Sequence, residues 1–153
     1  MVNQEFIYHN HSYPYEEVLK EIKEVGISMI GFCENIPNPE LVLPDEDNRM
    51  LLSDVEEYIA SINKLKEENP DTLILAGFEA EFDPMKETFL GEMREKVDYM
   101  LLGQHFVNRG LQTISSKNNP NYPIEYANMV CKAIDSGIFD IVVHPDYFIG
   151  FRN

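Results

Sequence analysis

The sequence predicts an α/β fold in which short parallel strands alternate with amphipathic helices. Three observations predict it. Five short apolar runs are each bounded by turn-forming or polar residues, which favours buried strands over helices. These runs are apolar along nearly their whole length, as parallel strands covered on both faces are. The segments between them carry apolar residues at helical spacing, so strand and helix recur at roughly 30 residues, the size of a βαβ unit.

The predicted strands are Glu5 to Tyr8 (EFIY), Ser28 to Phe32 (SMIGF), Leu73 to Phe78 (LILAGF), Val97 to Leu102 (VDYMLL) and Phe139 to Val143 (FDIVV). The first helix is expected over Tyr15 to Val25, with Val18, Ile22 and Val25 on one face and Gly26 as its stop. Ser53 with Glu56 forms a capping-box pattern, and Val55, Ile59, Ile62 and Leu65 supply the stripe of a helix that Pro70 ends. Met85 to Lys96 reads as a third helix packing through Phe89 and Met93. Ile124 to Ser136 reads as a fourth, carrying Ala127, Val130 and Ile134 and closed by Gly137. Such alternation is compatible with a doubly wound sheet or a β/α barrel, and periodicity does not separate them.

Composition bounds the function. The formal net charge of −15 argues against nucleic acid as a partner, because a phosphate backbone demands a basic face. The acidic excess fits either solvated helix faces or a carboxylate-rich site that takes up cations. No apolar stretch approaches the ~20 residues of a membrane-spanning helix, and no membrane partner is expected. Met1 to Glu5 carries no basic cluster ahead of an apolar run, so no signal peptide is expected and a cytoplasmic location follows. Cys33 and Cys131 lie in unlike contexts, with no CxxC pair, and both are expected to be buried apolar residues.

The four histidines all fall at or just beyond the C-terminal end of a predicted strand. His9 and His11 follow the first as HNH, His105 follows the fourth in LLGQH, and His144 follows the fifth in VVHPD. The second strand ends in Cys33, Glu34 and Asn35, and the third in Glu79 and Glu81 (GFEAEF). In a β/α barrel those ends converge on one face, where catalytic groups are placed. A single histidine is more often a packed rim residue than a ligand; four at one structural position weaken that reading. Imidazole with carboxylate is the ligand set of zinc, manganese or iron, and thiolate-only sites need more cysteine. A His-X-His on a strand puts both rings on one side.

The order YHNHS, GFCEN, GFEAEF, DYMLLGQHF and DIVVHPDYF resembles the successive motifs of the PHP (polymerase and histidinol phosphatase) superfamily, in its histidinol-phosphatase branch. The resemblance implies a distorted, TIM-like β/α barrel of which residues 1–153 hold about the first five strand–helix units, the barrel-closing C-terminal strands being absent. It implies up to three divalent ions (Zn, Mn or Fe) held by His9, His11, Glu79, His105 and His144, with Glu17 and Glu34 as additional metal candidates. It implies a water activated by those ions as the nucleophile, with no side chain assigned to that role, and a small phosphorylated substrate. The expected reaction is hydrolysis of histidinol phosphate to histidinol and phosphate, in histidine biosynthesis. With only 12 Lys plus Arg, Arg109 and Arg152 are the phosphate-clamp candidates near the presumed face, each equally readable as a solvent-exposed arginine. Ser12 and Tyr147 are lesser candidates.

The sequence departs from the family pattern in three places. Asn35 stands where relatives carry a histidine after the acid, replacing an imidazole by a much poorer ligand. Glu16 and Glu17 occupy the stretch where many relatives place a further histidine, and a carboxylate there favours a harder ion such as manganese. The late Asp and His of the family have no counterpart before Asn153, and the open outer strands are expected to pair in a homo-oligomer. The alternatives are a PHP phosphatase for another phosphoester such as phosphotyrosine, an amidohydrolase-type barrel, and a catalytically inactive metal-binding fragment. No lysine at a strand end supports the amidohydrolase reading.

Overall fold

A computed structural model describes residues 6–8, 14–39, 50–109, 112–114 and 120–146. The chain divides into two compact units, Met1–Phe78 and Glu79–Asn153. His9, His11, Ser12, Tyr147 and Arg152 lie outside the described residues.

In the first unit, strand β1 (Phe6–Tyr8) pairs in parallel with β2 (Met29–Asn35), Ile7 opposite Gly31. Helix α1 (Tyr15–Glu24) joins them and buries Val18, Leu19 and Ile22. Val25, expected on that face, is 73% exposed, because the helix has already ended. Gly26 takes φ 78°, its N–H donates to Lys23 O at 3.0 Å, and Ile27 N–H donates to Ile22 O at 3.0 Å. This is the Schellman closure, and the left-handed residue it needs is the reason for glycine.

Helix α2 (Val55–Glu68) follows a 3₁₀ turn, Leu52–Asp54, and leads to strand β3 (Leu73–Ala80). The cap differs from the expected Ser53–Glu56 box: the Asp54 carboxylate accepts from Leu51 N–H at 3.3 Å and from the Ser53 hydroxyl at 2.8 Å. The helix buries Val55, Tyr58, Ile62 and Leu65, so Tyr58 takes the place expected of Ile59. The Tyr58 hydroxyl lies 3.0 Å from both Phe32 O and Gly77 O and accepts from Gly77 N–H at 3.2 Å. A helix side chain thus ties β2 to β3, and its phenol ring packs 5.5 Å from Phe78.

Strand β3 runs through the division. Hydrogen-bonded neighbours run β1-β2-β3 in the first unit and, in the second, from β3 to β4 (Tyr99–Leu102) and then β7 (Ile141–Val142). Neighbour order follows chain order without reversal, which is the winding of a β/α barrel; a doubly wound sheet reverses at a switch point. In the second unit a 3₁₀ turn (Pro84–Lys86) precedes α3 (Glu87–Arg94), which buries Leu90 and Met93, with Leu90 in the role expected of Phe89. Strand β4 (Tyr99–Leu102) is buried along its length. It pairs in parallel with β7 (Ile141–Val142), Leu101 opposite Ile141. Asp140 sets that register: its carboxylate accepts from Met100 N–H at 2.8 Å and meets Arg94 at 3.3 Å.

Two features of this unit were not expected. A short antiparallel pair, β5 (Val107–Arg109) with β6 (Gln112–Ile114), follows β4. Helix α4 (Tyr122–Asp135) buries Tyr122, Tyr126, Met129 and Ala133, and leaves Ile124 and Ile134 66% and 54% exposed. The expected stripe of Ala127, Val130 and Ile134 is therefore rotated by about one position, with Val130 at its margin. The two tyrosines pack on Val107. Cys33 is buried as expected, whereas Cys131 lies on the exposed side of α4. No helix among the described residues is long and apolar enough to cross a membrane.

Candidate metal centre

Three of the histidine and carboxylate residues picked out by strand-end position come together in the second unit. Glu79 is the penultimate residue of β3, His105 lies three residues past β4 and His144 two past β7. Gly103 N–H donates to Ala80 O at 3.0 Å and Val143 N–H to Leu102 O at 3.0 Å, which holds these strand ends side by side. One potential ligand atom from each of Glu79, His105 and His144 lies within 4.8 Å of the others. His144 Nε2 is 3.6 Å from Glu79 Oε1, and the two imidazole rings are 4.8 Å apart, centre to centre.

These distances suit a divalent transition metal. Two ligands bound at about 2.0–2.1 Å on a tetrahedral ion are about 3.3 Å from each other, so the His144–Glu79 separation needs only a few tenths of an ångström of closure. All three side chains are partly buried, which limits competing water without sealing the site. Two imidazoles and a carboxylate are a donor set for zinc, manganese or iron.

The backbone is shaped around the carboxylate. A Cβ built on Gly103 would collide with Glu79 Oε1 and stand 2.7 Å from its Cδ and 2.9 Å from its Cγ. Only glycine lets the Glu79 side chain cross the end of β4. His144 has φ 34°, in the left-handed region where non-glycine residues are strained. Such strain persists where surrounding contacts over-determine the conformation, and it accumulates at functional sites.

Around the triad a layer of hydrogen bonds fixes the two loops. Gln104 is 1% exposed; its side-chain carbonyl accepts from Phe82 N–H at 2.8 Å and its amide donates to Phe106 O at 2.6 Å. One buried side chain thereby joins the loop bearing Glu81 to the loop bearing His105. The Tyr122 hydroxyl donates to His105 O at 2.8 Å, and His105 Nδ1 lies 3.1 Å from Glu81 Oε1. Burial raises the Tyr126 hydroxyl above the ordinary phenol value, and the carboxylates of Asp146 and Glu81 push it the same way.

The other expected residues stand apart from this geometry or outside the described residues. Glu34 is the penultimate residue of β2 in the first unit, 2% exposed, and accepts a hydrogen bond from the Tyr15 hydroxyl at 2.8 Å. Glu17 is exposed in the first turn of α1. Arg109 ends β5. Gly103 and Gln104 belong to the GQH segment, but their work depends on what β3 brings beside them. The Glu79-X-Glu81 spacing was the available signal for Glu81.

No protein-family model matches this sequence, and no curated protein matches it. Among solved structures, the chain is similar to the crystal structure of HisK from Listeria monocytogenes, a protein provisionally described as a histidinol phosphatase. The TM-score is 0.65 at 18% sequence identity, over 86% of this chain and 61% of that one. The likeness is one of fold, and it agrees with the β/α winding. This chain spans less than two thirds of the length of that protein.

Proposed function

We propose that this chain carries the metal site of a phosphomonoester hydrolase of the PHP type, with histidinol phosphate as the substrate. The observation that carries the reading is the convergence of Glu79, His105 and His144 at the ends of three neighbouring strands. The fold shared with HisK supports it. A divalent ion held there would polarise a phosphoryl oxygen and activate a water near neutral pH. Glu79, His105 and His144 would hold the ion. His9 and His11 are the proposed ligands of a further ion, and Arg109 and Arg152 the proposed source of the fixed positive charge that a phosphoryl group needs. Gly103 and Gln104 keep Glu79 and His105 in place during turnover.

Phosphate release tests this reading. The chain is loaded separately with Zn²⁺, Mn²⁺ and Fe²⁺ and assayed on histidinol phosphate and on phosphotyrosine. The expected result is release from histidinol phosphate that exceeds release from phosphotyrosine and falls to background in Glu79→Gln. Equal release by Glu79→Gln, or none with any ion, contradicts it.

A further inference from the structure

We propose that Glu81 is a positioning residue, which fixes the ring of His105 so that Nε2 is the nitrogen offered to a metal ion. The proposal rests on the reading of Glu79, His105 and His144 as a metal centre. His105 Nδ1 is 3.1 Å from Glu81 Oε1, a hydrogen-bond distance between two partly buried side chains. A carboxylate at neutral pH only accepts, so the Nδ1 position carries the proton and Nε2 carries the lone pair. Imidazole ligands of metal ions depend on such a partner, which holds the ring's orientation and makes the coordinating nitrogen more basic.

The local structure gives Glu81 little freedom to do anything else. It sits one residue past β3, two positions beyond Glu79, and the next residue is clamped by Gln104 through Phe82 N–H at 2.8 Å. The same glutamine donates to Phe106 O at 2.6 Å, next to His105, and Tyr122 holds His105 O at 2.8 Å. Both ends of the Glu81–His105 pair are thus anchored by backbone contacts that do not involve a metal.

The test compares the native chain with Glu81→Ala and Glu81→Gln in two measurements. The first is zinc affinity by competition with a chromogenic chelator, with circular dichroism checking that each variant is folded. The second is the ¹⁵N spectrum of the His105 ring in the metal-free protein, which reports the tautomer directly. The expected result is a loss of about 10- to 100-fold in zinc affinity for Glu81→Ala. Glu81→Gln, whose amide oxygen still accepts from Nδ1–H, should retain most of the affinity and the native tautomer, while Glu81→Ala loses the tautomer preference. Unchanged affinity in Glu81→Ala overturns the proposal. So does a loss as large as that of His105→Ala with no rescue by glutamine, because Glu81 would then be a ligand itself. If the native chain binds no zinc, the metal reading fails and the ligand role of Nε2 with it; the tautomer measurement still decides whether Glu81 sets the ring.

Discussion

Gly103 and Tyr58 show how much rests on single atoms. At Gly103 the missing Cβ is the space that the Glu79 side chain occupies. The colliding atoms, Cγ, Cδ and Oε1, all belong to the Glu79 side chain and none to the backbone, so Gly103→Ala displaces the carboxylate and leaves the strand in place. Zinc affinity should therefore fall by about tenfold or more, the scale of a disturbed supporting contact. The melting temperature of the metal-free protein should change little. A chelator titration beside a thermal melt checks both. At Tyr58 one hydroxyl satisfies backbone groups of β2 and β3. Tyr58→Phe leaves them unmatched in the interior, which costs about 1–3 kcal/mol. Burial holds the Tyr58 phenol above its ordinary value. A raised folded-state pKa gives stability that is complete below the unfolded value of about 10 and lost as pH rises beyond it. Urea midpoints above pH 10 should thus fall more steeply for the native chain than for Tyr58→Phe.

Helices and strands differ in how much of them the sequence betrays. All five predicted parallel strands are present, because continuous apolar runs between turn formers have few other uses. The helix faces are less legible. In α4 the buried side is made by Tyr122, Tyr126 and Met129, and tyrosine is an ambiguous letter: its ring packs while its hydroxyl seeks water or a partner. Counting only aliphatics pointed to Ile134, which is exposed. Met129→Ala should cost about 2–5 kcal/mol as a core truncation, whereas Ile134→Lys should stay within about 0.5 kcal/mol. Chemical denaturation of the two variants separates these packings, and the reverse order would place the helix face wrongly. The β5–β6 pair leaves no signal in the sequence, because three-residue strands carry no period. The candidate site divides the same way. Strand-end position singles out Glu79, His105 and His144 together with other histidines and carboxylates, and a ligand role for them comes from the family resemblance. The contributions of Gly103, Gln104 and Glu81 are not legible, since each acts on a residue that only the folded sheet brings beside it.

For the whole molecule, the net charge of −15 and the candidate metal centre bear on one another. Self-repulsion of an acidic chain opposes compaction, and a bound divalent cation relieves part of it where the carboxylate and imidazole ligands converge. An ion that binds the folded chain alone stabilises it by about 2.7 kcal/mol at a hundred times its dissociation constant. Zinc should therefore raise the melting temperature at micromolar concentrations, and magnesium, which prefers oxygen ligands, should not. The most direct measurement is the equilibrium zinc affinity of the native chain beside Glu79→Ala, His105→Ala, His144→Ala and the variant lacking all three. One metal centre shared by these residues predicts that each single substitution weakens the tightest site and that the triple variant abolishes it. A triple variant that holds zinc as tightly as the native chain would contradict the account.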